Sequence, residues 1–187
     1  MIKIPNTPIQ WEFKKWRLPL AIYALCFLLT GTQSCKTYSF KDVSIPPDIK
    51  TIRISYLENK SRYVNPQFSA LLTDKLKQKI NNQTRLTQIE SSDADYDVSG
   101  YVSEYQLSTS GVSGQQAATN RLTVSVHITL KNRLAEKKIG TPDFDTDLSR
   151  NFDFSANLSF GDAEAQLTPT VISNMTDEIF NRIFSSW

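Results

Sequence analysis

Leu122, Val124, Val126, Ile128 and Leu130 stand at alternate positions, with Arg121, Thr123, Ser125, His127, Thr129 and Lys131 between them. A period of two over residues 120–132 predicts a strand with one face in a core and the other wet or against a polar partner. The same alternation runs through residues 51–56, with Ile52, Ile54 and Tyr56 on one side. It returns over residues 144–154, with Phe144, Leu148, Phe152 and Phe154 inward. A shorter strand is expected over residues 85–90. Residues 95–107 read as a long strand whose apolar set switches from Tyr96, Val98 and Val102 to Tyr105 and Leu107. A change of parity inside one strand implies an extra residue, and the expected place for that bulge is Gly100. Residues 108–119 are rich in Ser, Thr, Gly and Gln and predict a mobile hairpin loop.

Two stretches follow a helical period instead. Phe68, Leu71, Leu72, Leu76 and Ile80 recur at steps of three and four, with Lys75, Lys77, Gln78 and Lys79 largely opposite. Asn65-Pro66 suits the start of that helix and Asn81-Asn82 its end. A second helix is expected from about Asp162 towards Trp187, carried by Val171, Met175, Ile179 and Ile183. Pro169 either kinks it or opens it with Thr168 as cap; the kink is preferred. The order β-α-β-β-β-β-α predicts a two-layer α+β sandwich, two helices on one face of a mostly antiparallel or mixed sheet.

The chain before this domain has a different character. Lys14, Lys15 and Arg17 precede a mostly apolar run over residues 18–29, followed by Thr30-Gly31-Thr32-Gln33-Ser34 and Cys35. The run is shorter than the roughly 20 residues that span a bilayer. Basic residues, a short apolar segment and a small residue form an export signal. Cys35 directly after the expected cut resembles a relaxed lipobox, with Thr32 and Gln33 as departures. The expected division is residues 1–34 as cleaved signal, 35–49 as lipidated tether and 50–187 as the folded domain. Cys35 would carry a diacylglycerol and a further acyl chain. The competing readings are a secretory signal with an incidental cysteine, or an uncleaved anchor.

Charge and cysteine count then change the picture. The chain has 21 basic and 19 acidic side chains. Four of the basic ones (Lys3, Lys14, Lys15, Arg17) and one acid (Glu12) lie in the expected signal, so the remainder is near neutral. No nucleic-acid partner is expected, because such a domain would be basic. Cys26 would leave with the signal, so Cys35 would have no disulfide partner. His127 is the sole histidine, without an evident partner in sequence, and a triad or metal site asks for more. Asp93, Asp95 and Asp97 lack the Gly and Glu that complete a calcium loop, and read as a solvated turn. No phosphate-cradling glycine loop and no nucleophile elbow appears. An enzyme, a metal or a further cofactor is therefore not expected.

Four segments carry a family resemblance. They are Cys35-Lys36-Thr37-Tyr38-Ser39-Phe40 with Ile45-Pro46-Pro47; Lys50-Thr51-Ile52-Arg53-Ile54; Asn65-Pro66 before Leu71-Leu72-Thr73; and Asn120-Arg121-Leu122-Thr123. In this order the chain resembles the LptE lipopolysaccharide-assembly lipoproteins, in the form found in Bacteroidetes-type bacteria. That resemblance implies two helices on a β-sheet and a lipid-anchored protein of the outer membrane facing the periplasm. It implies a plug and assembly factor for an LptD-type β-barrel, and binding of lipopolysaccharide. Arg53, Arg121 and Lys131 are candidate contacts for lipid A phosphates, against a plain solvated strand face. The alternative function is a periplasm-facing lipoprotein that binds another ligand or cell-envelope component. A hydrolase with an unusual site is a third reading.

Overall fold

The computed structural model describes residues 45–185 apart from 64, 66, 114 and 115. The expected signal, Cys35, the residues after it to position 44, Pro66 and Trp187 lie outside the described residues. A turn precedes the first strand, with the Ile49 N–H donating to the Pro46 carbonyl at 3.1 Å.

The elements are β1 (Thr51–Ile54), β2 (Glu58–Asn59), α1 (Phe68–Gln83), β3 (Thr87–Gln88), β4 (Tyr96–Ser113), β5 (Gln116–Asn132), β6 (Phe144–Ser155) and α2 (Phe160–Phe184). They form the expected two-layer α+β fold, helices on a six-stranded mixed sheet ordered β3-β1-β4-β5-β6. β1 runs parallel to β3 and β4, and the short β2 also pairs with β4 in parallel. β4, β5 and β6 form an antiparallel meander. β5 is its spine: Leu122, Val124, Val126, Ile128 and Leu130 are all buried. Each such side chain contributes about 1.5–3 kcal/mol relative to exposure.

In α1, Phe68, Leu72, Leu76 and Ile80 make a fully buried stripe at four-residue steps, whereas Leu71 is 45% exposed. The Asn65 carboxamide oxygen accepts from the N–H groups of Gln67 and Phe68 at 2.9 and 3.1 Å, so Asn65 supports the first turn from outside. Thr73 turns its hydroxyl back to the Ser69 carbonyl at 2.7 Å and accepts the Leu57 N–H at 3.1 Å, tying the helix to the chain after β1. α2 begins at Ser159, whose hydroxyl accepts the Asp162 N–H. Val171, Met175, Ile179 and Ile183 bury its inner stripe. Pro169 lies inside this helix and does not open it. It has no N–H to give the carbonyl four residues earlier, on Ala165.

The parity switch in β4 is a bulge, but not at Gly100. Gly100 pairs regularly with Ile128, and the ladder skips Ser103 between Val102 and Glu104. The extra residue returns Tyr105 to the core side, where it is 3% exposed. Gly100 is needed for a different reason: a Cβ there would lie 2.2 Å from the His127 carbonyl oxygen. Gly140, in the β5–β6 turn, has φ +79° and would bring a Cβ within 2.3 Å of the Tyr96 hydroxyl.

Four further expectations need correction. Tyr56 is 55% exposed and the neighbouring Leu57 is buried instead, because β1 ends at Ile54 and the alternation ends with it. The strand expected over residues 85–90 narrows to the two residues of β3. Much of residues 108–119 is not loop but ladder, with Ser108 opposite Arg121 and Thr109 opposite Asn120. Small polar residues keep their backbone donors and acceptors, so composition alone did not reveal the pairing. Asp95 is not solvated: it is 5% exposed and bonded on several sides.

Candidate functional site on the polar face of the sheet

The outward residues of β5 meet an acceptor on β6 at nearly every row. The Arg121 guanidinium grips Asp153 with two bonds, at 2.7 and 3.0 Å. The Thr123 hydroxyl donates to the Asn151 side chain at 2.9 Å. Ser125 lies between Glu104 and Ser149, at 3.1 and 2.9 Å. His127 lies between two carboxylates, with Nε2 2.7 Å from Asp145 and Nδ1 3.0 Å from Asp147. Thr129 donates to Asp145 at 3.1 Å. The periodicity that buries one face of the meander thus assembles this ladder on the other.

β4 completes it. The Tyr101 ring stacks on His127 with centroids 4.9 Å apart, and the Lys60 ammonium lies 4.5 Å from the centre of the Tyr101 ring. Asp97 stands between Arg53 on β1 and Lys131 on β5 in register. Arg53 holds Asp97 by two bonds, at 2.8 and 2.5 Å. That hydrogen bond and charge raise the pKa of Arg53 above its ordinary value. Asp153 does the same for Arg121, and the Asp153 carboxyl is lowered in turn by the Arg121 hydrogen bond.

The three candidate phosphate contacts therefore have different surroundings. Arg53 and Lys131 share one row through Asp97, and Lys131 is exposed. Arg121 is ten positions from Lys131 along β5, roughly 33 Å at the usual rise per residue, so the three do not converge. His127, which has no evident partner in sequence, has two in the structure. The missing signal was register: once β5 opposes β6, His127 falls opposite Asp147 and Arg121 opposite Asp153.

Two other polar centres lie off this face. The Asp95 carboxylate accepts the N–H groups of Lys50 and Thr51, at 2.9 and 3.0 Å, the Thr51 hydroxyl at 3.0 Å, and Arg133 at 2.6 Å. Burial alone would raise its pKa, but these donors overcome it and lower the group to about 2. The Glu164 carboxylate on α2 accepts the hydroxyls of Tyr63 and Tyr105, each at 3.0 Å, and the Asn65 amide at 2.8 Å. Burial, then Glu164, raise the Tyr105 phenol, while for Tyr63 the Glu164 hydrogen bond is the larger cause. Asp93, Asp95 and Asp97 do not gather around one point. Among the described residues no group of three or more His, Cys, Asp or Glu could hold a metal ion.

The ladder is thus a row of ion pairs and hydrogen bonds across the wet face of an α+β layer. Among the described residues no helix is long and apolar enough to cross a membrane. A family model described as LptE, lipopolysaccharide-assembly, matches residues 49–183. The chain belongs to the LptE lipopolysaccharide-assembly family. Solved structures with a similar shape include a minor lipoprotein from Acinetobacter baumannii, 16% identical with TM-score 0.44, covering 73% of this chain and 92% of that one. Rare lipoprotein B from Shewanella oneidensis is 14% identical with TM-score 0.40, covering 72% of this chain and 92% of that one. A protein from Xanthomonas campestris is 10% identical with TM-score 0.48, covering 75% and 89%. Similarity at that level carries no functional information. No curated protein matches the chain.

Proposed function

We propose that this chain is a non-catalytic outer-membrane lipoprotein, held by lipid on Cys35 with its domain facing the periplasm. It plugs an LptD-type β-barrel translocon, assists assembly of that barrel and binds lipopolysaccharide during delivery to the cell surface. The observation that carries the reading is the LptE family match over residues 49–183. The signal-like residues 1–34 and the position of Cys35 support the anchor.

Lipid A phosphates would meet the row of Arg53, Asp97 and Lys131 first at Lys131, which is exposed. Arg53 and Arg121 take part only by exchanging an aspartate for a phosphate, since both are already held at two points. Such an exchange preserves the fork geometry of the guanidinium. Depletion of the protein in the native cell is the test. The reading expects lipopolysaccharide missing from the surface and a misassembled barrel; normal levels of both would refute it.

A further inference from the structure

We propose that the open edge of β4 at residues 105–109 is a strand-addition site for an extended, uncharged connecting segment of the barrel protein. This rests on the reading above that a barrel is the partner. β2 fills the neighbouring slot only as far as Asn59, opposite Val102. The Lys60 N–H bonds the Val102 carbonyl at 2.9 Å, and among the described residues no backbone group outside β5 bonds β4 beyond that point.

The alternation of β4 sets which groups face the vacant slot. Val98 and Val102 turn their carbonyls towards the β1–β2 side, where Ser55 and Lys60 donate to them. The bulge at Ser103 shifts the alternation by one residue. Tyr105, Leu107 and Thr109 therefore direct their N–H and C=O groups to the slot. Beside it lies a groove of about 410 Å³, lined by Arg62, Tyr63, Glu104 and Leu107 among others. Tyr63 and Leu107 are 43% and 40% exposed there, ready to receive apolar side chains of an incoming strand.

Long edges are normally defended by charge or proline. β6, the other long edge, carries Asp145, Asp147, Arg150 and Asp153. From Tyr105 to Asn120 there is no Lys, Arg, Asp, Glu or Pro. An edge without charge from Tyr105 onward, beside a groove in which Tyr63 and Leu107 are exposed, suits strand addition by a neutral segment, in which main-chain bonds supply affinity and side-chain pockets supply selectivity. A second copy of β4 fits poorly. It would bring Tyr105 to the groove, and that side chain is 3% exposed and bonded to Glu164. A closed barrel has no free edge of its own, so the occupant is a connecting segment rather than a wall strand.

The test uses the full-length protein in native outer membranes, with photoreactive p-benzoylphenylalanine at Ser108 and, as control, at exposed Asn174. Ser108 should crosslink to a connecting segment of the barrel polypeptide and Asn174 should not. Leu107→Pro removes an N–H that faces the slot and should lower the co-purified barrel by about tenfold. If that variant misfolds by circular dichroism, Ser108→Lys with Ser110→Lys makes the same test without touching the backbone. Crosslinks from Ser108 between two copies would overturn the inference. So would a barrel that co-purifies undiminished with a folded edge variant. A wild-type protein that brings no barrel at all would overturn the underlying reading as well.

Discussion

Arg53 and Asp97 hold each other across β1 and β4 by two bonds, with Nε at 2.8 Å and Nη2 at 2.5 Å from the carboxylate oxygens. The pair decides how the polar face can meet an anion. Asp97→Asn frees the Arg53 fork for phosphate and should tighten binding of lipopolysaccharide by about threefold to tenfold, given the strength of charge-assisted pairs. Lys131→Ala should weaken it, more at low salt than at high salt. Titration of purified lipopolysaccharide at two ionic strengths checks both. No change in either variant would place the phosphate contact elsewhere.

Asp95 ties the start of β1 to the turn after β5, accepting from Lys50, Thr51 and Arg133. Its folded-state pKa of about 2 lies below the ordinary value of 3.8. A depressed carboxyl contributes stability that is fully present above about pH 4 and is lost as pH falls towards about 2. Discounted for the water around Arg133, that is about 1–2 kcal/mol. Asp95→Ala should remove this acid-dependent part and also leave two N–H groups short of a partner, at about 1–3 kcal/mol each. Denaturant unfolding at pH 7 and pH 3 checks it: the gap between wild type and variant should narrow at pH 3.

Gly100→Ala should destabilise the domain, because the new Cβ would lie 2.2 Å from a backbone oxygen on β5. Overpacking of this kind costs about 1–3 kcal/mol. Gly140→Ala adds a left-handed φ to a contact with Tyr96 and should also destabilise. Gly161 has open space around it, with nothing within 4 Å of where a Cβ would stand, and should accept alanine with no packing loss. Thermal unfolding of the three variants side by side tests this ranking.

Cys35→Ser should abolish lipid labelling and either release soluble protein or leave the precursor uncleaved. Labelling that persists in this variant would refute the assignment of the lipidated residue.

Much of the architecture was legible because burial follows a simple period. Leu122 to Leu130 at alternate places and Val171 to Ile183 at four-residue steps became the inner faces of β5 and α2. The parity switch in β4 was legible as a bulge, but its position was not. Gly100 looked like the irregular residue because glycine is permissive; its actual role is close approach to His127, a neighbour set by register. The ladder on the wet face was hidden for the same reason. His127 and Asp147 are 20 residues apart in sequence, and only the pairing of β5 with β6 makes them partners. Asp95 gives no sign of its burial in sequence because its donors, Lys50, Thr51 and Arg133, lie 45, 44 and 38 positions away.

The proposed place of this domain, inside a lipopolysaccharide translocon, is tested most directly by its partner. The protein should be captured gently from native outer membranes and its companions identified and quantified by mass spectrometry. A large β-barrel of the LptD type is expected in stoichiometric amount. Capture of the intact lipoprotein with no such barrel would contradict it.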